Sequence, residues 1–154
     1  MNKIIRLLYL SALLAILAGC NKYVTFQDYY VAFDTDISSA TAINELGEFQ
    51  GAYYVHYCGV LLTETFEVQY SVILGDGLKE GLDYEIVNGS GKLSFLPGIY
   101  NIPIRINWLS HEIDDSKDNT IVIRLEGCSN GDIQIGCPGP DRKGAELNIR
   151  KYKN

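Results

Sequence analysis

The fold is decided by one stretch, Phe66-Glu67-Val68-Gln69-Tyr70-Ser71-Val72-Ile73-Leu74, in which apolar side chains occupy every second position. Alternation with a period of two is typical of a β-strand that buries one face, because successive side chains of a strand point to opposite sides. Five apolar residues on the same face predict a central strand of a sheet. The turn sequence Gly75-Asp76-Gly77 closes this strand.

The same alternation recurs on both sides of this strand. It is most regular from Tyr100 to Trp108, where Pro103 lies in the outward set and predicts an edge or a bulge, because proline cannot donate to a ladder. In 49–58 aromatic residues occupy both faces, so the inward side stays open. The predicted strands are 29–33, 49–58, 66–74, 84–87, 93–95, 100–108, 120–125 and 145–149.

The chain after residue 28 contains no segment with a sustained helical period. Seven or eight strands separated by Gly-rich turns predict an all-β fold, a single antiparallel β-sandwich of immunoglobulin type. We expect polar loops at 34–42 and 112–119, and a Gly/Pro-rich excursion at 127–144.

A second stretch, Leu17-Ala18-Gly19-Cys20, indicates where the protein resides. It follows a positive start, with Lys3 and Arg6, and an apolar run over 4–18, which together are typical of a secretory signal. The run is shorter than the about 20 apolar residues of a transmembrane helix. The small pair before Cys20 resembles the lipobox of bacterial lipoproteins, which implies cleavage before Cys20 and acylation of its thiol.

We therefore expect a signal peptide at 1–19, a lipidated tether at 20–28 and one sandwich domain at 29–154. The signal carries two cations and no acid, so its removal changes the net charge from −6 to −8. An acidic protein binds nucleic acid and anionic lipid poorly, so the acyl chains on Cys20 are expected to supply the membrane attachment. The predicted location is the cell envelope, at the outer membrane, with the periplasmic and the surface-facing orientation both open.

Three cysteines lie in the predicted domain. Export permits disulfides, and the spacing of Cys128 and Cys137 allows a hairpin or loop to bring the two thiols together. Cys58 is then expected to be a small buried hydrophobe. The cysteines and histidines do not have the spacing of a zinc site.

Turn and strand motifs across the domain resemble those of Calx-beta domains, as found in small lipoproteins of the Bacteroidota. The motifs are Asn44-Glu45-Leu46-Gly47, Gly81-Leu82-Asp83-Tyr84, Gly91-Lys92-Leu93-Ser94-Phe95, Pro97-Gly98, the strand 102–106, and Asp114, Asp115 and Asp118 followed by Ile121, Ile123 and Leu125. The resemblance spans about residues 30–152 and implies the sandwich fold.

Many Calx-beta domains bind calcium at one end of the sandwich, and the resemblance implies candidate ligands at Glu45, Asp83, Asp114, Asp115 and Asp118. The family's final run of aspartates is replaced here by Arg150-Lys151-Tyr152-Lys153. Calcium needs about six to eight oxygen ligands, so we do not expect a full site. The acids are interpreted as turn formers and solvated charges, some of them paired with Arg150 or Lys151 at the surface.

The sequence contains no recognisable set of catalytic residues. His56 and His111 are far apart, and a nucleophile elbow is absent. Asp114 and Asp115 are adjacent in one loop, whereas glycoside hydrolysis requires carboxylates on opposite sides of the bond. We therefore expect a protein that is not an enzyme and uses no cofactor.

Tyr53, Tyr54 and Tyr57 lie on one predicted strand, where they cannot all face inward. Exposed tyrosines suit contacts with glycans or proteins. The leading hypothesis is a non-catalytic, lipid-anchored module that binds or adheres to a glycan or protein ligand. Two alternatives stay open: a structural subunit of an envelope assembly that pairs through sandwich edges, and a calcium-stabilised module.

Overall fold

The computed structural model describes residues 28–34, 41–87 and 89–153. The predicted signal peptide, Cys20 and all of the predicted tether except Asp28 lie outside the described residues, as does most of the predicted loop at 34–42.

Every regular element in the described part of the chain is a β-strand. The strands are β1 (Tyr29–Phe33), β2 (Thr41–Asn44), β3 (Phe49–Cys58), β4 (Phe66–Leu74), β5 (Tyr84–Val87), β6 (Lys92–Phe95), β7 (Asn101–Trp108), β8 (Thr120–Cys128), β9 (Ile133–Ile135) and β10 (Glu146–Tyr152). The eight predicted strands are confirmed, with small differences at their ends, and so is the all-β class.

The strands form two five-stranded sheets, in the orders β5-β7-β3-β1-β9 and β2-β10-β8-β4-β6. Their apolar faces enclose a single core, as expected for a β-sandwich. Pairing is antiparallel except at two edges, where β9 runs parallel to β1 and β2 runs parallel to β10. These two edge strands were not predicted. Each forms by pairing with a strand that is distant in sequence.

Strand β4 is paired on both sides, by β8 and β6, and buries Phe66, Val68 and Tyr70, as its alternation predicts. A bulge in the pairing with β8 lies between Gln69 and Tyr70. The last apolar residue of the alternating set, Leu74, is 44% exposed. The prediction of five buried residues on this face is therefore wrong at the end of the strand, where β4 extends beyond the core.

Strand β3 resolves the ambiguity that the sequence left. Its inward set is Gly51, Tyr53, Val55 and Tyr57. The predicted free edge of β7 is confirmed at Pro103. Strand β5 pairs with β7 only from Trp108 to Arg105, so on the β5 side Pro103 faces no neighbouring strand.

The strand directions place the loops at two opposite ends of the sandwich. The proximal end holds Tyr29, the first residue of β1, together with the loops 59–65, 96–100 and 129–132. The distal end holds the loops 45–48, 75–83 and 109–119, together with the end of β10. The described chain thus begins at one end of the sandwich and finishes at the other.

Candidate functional site

A polar cluster at the distal end brings together the buried residues Asp83 and Lys151 and the partly exposed His111. The ammonium of Lys151 is completely buried and donates to three oxygens: Asp83 Oδ1 at 3.2 Å, the Leu109 carbonyl at 2.9 Å and the His111 carbonyl at 3.2 Å. An ammonium has three protons to donate, so every one of them has an acceptor. We call these three oxygens the cradle of Lys151.

Asp83 is buried as deeply as its partner, at 1% exposure. Its Oδ2 accepts from the Lys79 amide at 2.9 Å, and its Oδ1 lies 3.0 Å from His111 Nδ1. Burial by itself raises the pKa of Asp83. The hydrogen bonds from the Lys79 amide, His111 and Lys151 outweigh this effect, so the pKa of Asp83 lies below its ordinary value of 3.8. The carboxylate is therefore charged at neutral pH.

An aspartate that contacts the Nδ1 atom of a histidine is half of the arrangement that activates a nucleophile. The other half would be a hydroxyl or thiol within reach of His111 Nε2, and no side-chain hydrogen bond from the described residues supplies one. The described cysteines do not meet this need, because Cys58 and Cys128 end strands at the proximal end and Cys137 follows β9. The contacts of the cluster therefore serve to neutralise and hydrogen-bond the buried Lys151 ammonium.

The structure brings the predicted calcium candidates to one end of the sandwich without making them converge. Glu45 is buried and accepts from the Ile113 amide at 3.0 Å. Asp114 accepts from the Ser116 amide at 3.0 Å and from its hydroxyl at 2.6 Å, which lowers the pKa of Asp114. Asp115 and Asp118 are exposed. Within the described residues, no group of three or more His, Cys, Asp or Glu side chains can hold a metal ion.

The predicted pairing of the terminal cations with these acids is half right. Lys151 does pair with an acid, but the pair is buried, whereas the prediction placed it at the surface. The signal was available in the sequence, because Lys151 continues the inward set of Leu147 and Ile149. The role of His111 was missed, since nothing in a loop sequence indicates which distant carboxylate it will face.

The three predicted contact tyrosines do not share a surface. Tyr53 is buried, and its hydroxyl accepts from Trp108 Nε1 at 2.9 Å. Burial raises the pKa of Tyr53, and the bond from Trp108 offsets only part of that effect. Tyr57 is also buried, edge-on to Phe66. Of the three, only Tyr54 points outward, at 40% exposure, so this cluster does not form a binding surface.

The predicted disulfide is not formed in the structure, in which Cys58, Cys128 and Cys137 are free thiols. Cys128 ends β8 in one sheet, whereas Cys137 follows β9 in the other. Cys58 is half-buried and lies opposite Tyr30, contrary to the expectation of a core position. Hydrogen bonds to Cys58 first, and to Cys137 as well, raise the pKa of Tyr30. Strand β1 lies between β3 and β9, and both Cys58 and Cys137 are free thiols.

An open groove of about 510 Å³ lies at the proximal end. It runs between the loops 59–65 and 129–132, and its walls include Tyr29, Tyr57 and Leu61 beside the polar residues Ser129 and Asn130. It therefore combines apolar and polar surface, and its charged residues are the acids Glu64 and Asp132.

The distal surface combines exposed apolar side chains with an excess of acid. Leu46, Phe49 and Leu82 are each more than 40% exposed. The exposed carboxylates at this end are Glu48, Asp76, Glu80, Glu112, Asp114, Asp115 and Asp118, against the exposed lysines Lys79, Lys117 and Lys153. This end of the molecule is the charged end.

In the part of the chain that the structure describes, no helix has the length and apolar character needed to cross a membrane. Comparison of the sequence with protein-family models gave no match, and a search of curated proteins gave none either.

Proposed function

We propose that this chain is a lipid-anchored, non-catalytic binding protein of the cell envelope, with one β-sandwich held at the outer membrane through Cys20. Support for the anchor comes from the sequence motif Leu17-Ala18-Gly19-Cys20. The proposal that the protein is not a catalyst rests on the buried Asp83–Lys151 ion pair. The two charges of this pair neutralise each other and are buried, whereas an acid–base catalyst needs a titratable group that can reach a substrate. His111 is partly exposed, but the hydrogen bonds of the described residues give it no hydroxyl or thiol to activate.

The ligand-contact surface that we propose is the distal surface defined above. Apolar residues inside a polar rim are typical of sites where another protein docks. The excess of carboxylates favours a partner that carries basic groups, because complementary charge speeds association and selects the partner. A protein ligand thus fits this surface better than a neutral glycan.

The edges of the two sheets favour a protein that binds its partner through loops. They favour less a subunit that assembles by strand pairing. The four edge strands β2, β5, β6 and β9 have three or four residues each. Short edge strands are one of the devices by which proteins prevent pairing with another chain. The resemblance to Calx-beta domains stays a prediction, and the proposed function does not depend on it.

The test is capture of envelope proteins by the acylated protein in detergent, comparing wild type with Leu46→Gln and with the matched variant Leu61→Gln at the proximal end. We expect one partner in constant proportion, lost from Leu46→Gln, kept by Leu61→Gln, and released by about 0.5 M salt because screening weakens the charge attraction. A glycan array probed with the same proteins measures the competing ligand class. Equal loss of the partner from both variants would contradict a distal contact surface.

A further inference from the structure

The proximal end is the end at which the chain enters the sandwich. Tyr29 begins β1 there, and Cys20 lies nine residues earlier in the sequence. A fully extended segment of that length reaches at most about 30 Å. Strand β3 alone, from the distal to the proximal end, is about 30 Å long. A lipid on Cys20 thus keeps the proximal end within about 30 Å of the membrane, whereas the distal end touches it only if the tether is fully stretched along the sandwich.

The proximal loops expose large aliphatic side chains. Leu61 is 73% exposed and Val60 57%, both at the tip of the loop that joins β3 to β4. Leu96 and Ile99 are 52% and 43% exposed in the turn between β6 and β7. Half-buried Tyr29 and Tyr100 lie beside these loops, and tyrosine is a residue that favours the boundary between lipid and water.

The two ends differ more in their number of charged residues than in their exposed apolar side chains. The proximal loops contain only two charged residues, Glu64 and Asp132, and exposed Asp28 precedes Tyr29 at the same end. The distal end exposes seven carboxylates and three lysines, as given above. Burying a charge in a membrane interface is costly, and the leaflet surface itself carries negative potential where anionic lipids are present. The distal end is therefore unsuited to contact lipid despite its exposed leucines.

We infer that the proximal end rests on the lipid bilayer that holds acylated Cys20, with Val60, Leu61, Leu96 and Ile99 in the interface and the distal end facing away. This inference rests on the lipid anchoring proposed above. It adds an orientation, in which the distal surface is the part presented to a partner. The proximal groove then opens at the membrane, where apolar and polar atoms meet.

The contact is apolar in character, because the proximal loops carry no base that attracts anionic headgroups. It is therefore expected to form on zwitterionic lipid and to be insensitive to salt. Side chains at such a contact enter the headgroup and acyl boundary by about 5–10 Å.

The experiment places a tryptophan reporter at each end of the acylated full-length mature protein, in phosphatidylcholine vesicles with and without bromine on the acyl chains. The variants are Leu61→Trp and the matched Leu46→Trp, both at exposed loop leucines. The one natural tryptophan, Trp108, is 1% exposed and pairs with Phe49 at the distal end, so it gives a constant background. At the depth expected for such a contact, brominated lipid should quench the Leu61→Trp variant at least about twofold more than Leu46→Trp.

The possible failures are distinguishable. Mass spectrometry of the purified protein and flotation with vesicles are measured first, and a protein that is neither acylated nor vesicle-bound overturns both the anchoring and the orientation. If the protein is acylated and floats but the two variants are quenched equally, or Leu46→Trp more strongly, the anchoring stands and the orientation is wrong. Thermal unfolding of each variant verifies that the sandwich is intact.

Discussion

A lysine whose side chain is completely buried is stable only where its charge is compensated, and Lys151 has three oxygens for its three protons. One of the three belongs to Asp83, which is buried as well, and two are carbonyls of the loop 109–119. The cradle thus joins the last strand to two distal loops. Removal of one partner would leave the other charge buried without compensation.

Replacing Lys151 by methionine should lower the free energy of unfolding by about 3–5 kcal/mol, because it leaves the Asp83 carboxylate buried without its main counter-charge. Arg150→Met is the control, since Arg150 is the preceding residue of β10 and is exposed. We expect it to change stability by no more than about 0.5 kcal/mol. Denaturant unfolding at neutral pH measures both. Similar losses in the two variants would mean that the cradle of Lys151 makes no particular contribution to the free energy of unfolding.

Acid should remove the contribution of Asp83. Its pKa in the folded protein lies below the ordinary 3.8, so its stabilising effect is complete above pH 4–5 and is lost as the pH falls through the depressed value. Asp83→Asn should be less stable than wild type at pH 7, and the difference should shrink toward pH 3. Because the other carboxylates titrate in both proteins, the difference isolates Asp83. A difference that stays constant with pH would refute this.

At the scale of the element, β4 shows what an alternating pattern can specify. Phe66 and Leu74 belong to the same apolar set, yet the ring of Phe66 is buried and stacks on Phe95 with centroids 4.9 Å apart, whereas Leu74 is exposed at the distal end. The pattern determines the face of the strand. It does not determine how far the opposite sheet extends above it.

Truncation of each residue should separate these two cases. Phe66→Ala should cost about 3–5 kcal/mol, because it opens a cavity between Tyr57 and Phe95. Leu74→Ala should cost less than about 1 kcal/mol, since Leu74 is 44% exposed and lies outside the core. Chemical denaturation measures both values. A cost at Leu74 that approaches the cost at Phe66 would indicate that an additional surface covers the distal end.

At the scale of the whole molecule, the two ends have different chemistry: the proximal loops expose aliphatic side chains with few charges, and the distal end carries many more charges with an excess of acid. Hydrogen bonds between backbone groups connect the distal loops, as from His111 to the Glu45 carbonyl and from Leu109 to the Asp83 carbonyl. These hydrogen bonds hold the distal loops together. The proposed anchoring at the proximal end would leave the distal surface free to bind a partner.

Cys20→Ser should move the protein from the membrane fraction to the soluble fraction after lysis, because the acyl chains are the proposed attachment. Cys58→Ser is the matched control and should remain with the membrane. The released protein should unfold at the same temperature as wild type, since the core is built from residues after 28. Membrane partitioning that persists in Cys20→Ser would argue against lipid anchoring.

The sequence by itself determined the all-β class, eight of the ten strands in the described residues and most of their inward faces. These properties are local, because the period-two alternation of a strand is written in consecutive residues. The free edge at Pro103 was predictable for the same reason, since proline lacks a donor in any context. The lipobox assignment is local too, and it remains a prediction.

Only the tertiary structure decided which charges were neutralised. Lys151 and Asp83 are 68 residues apart, and their pairing depends on two loops and a strand end that meet only when the sheets have packed. The parallel edge strands β2 and β9, and the separation of the three tyrosines, were decided in the same way. A contact between distant segments depends on how the whole chain packs, and no window of neighbouring residues contains that information.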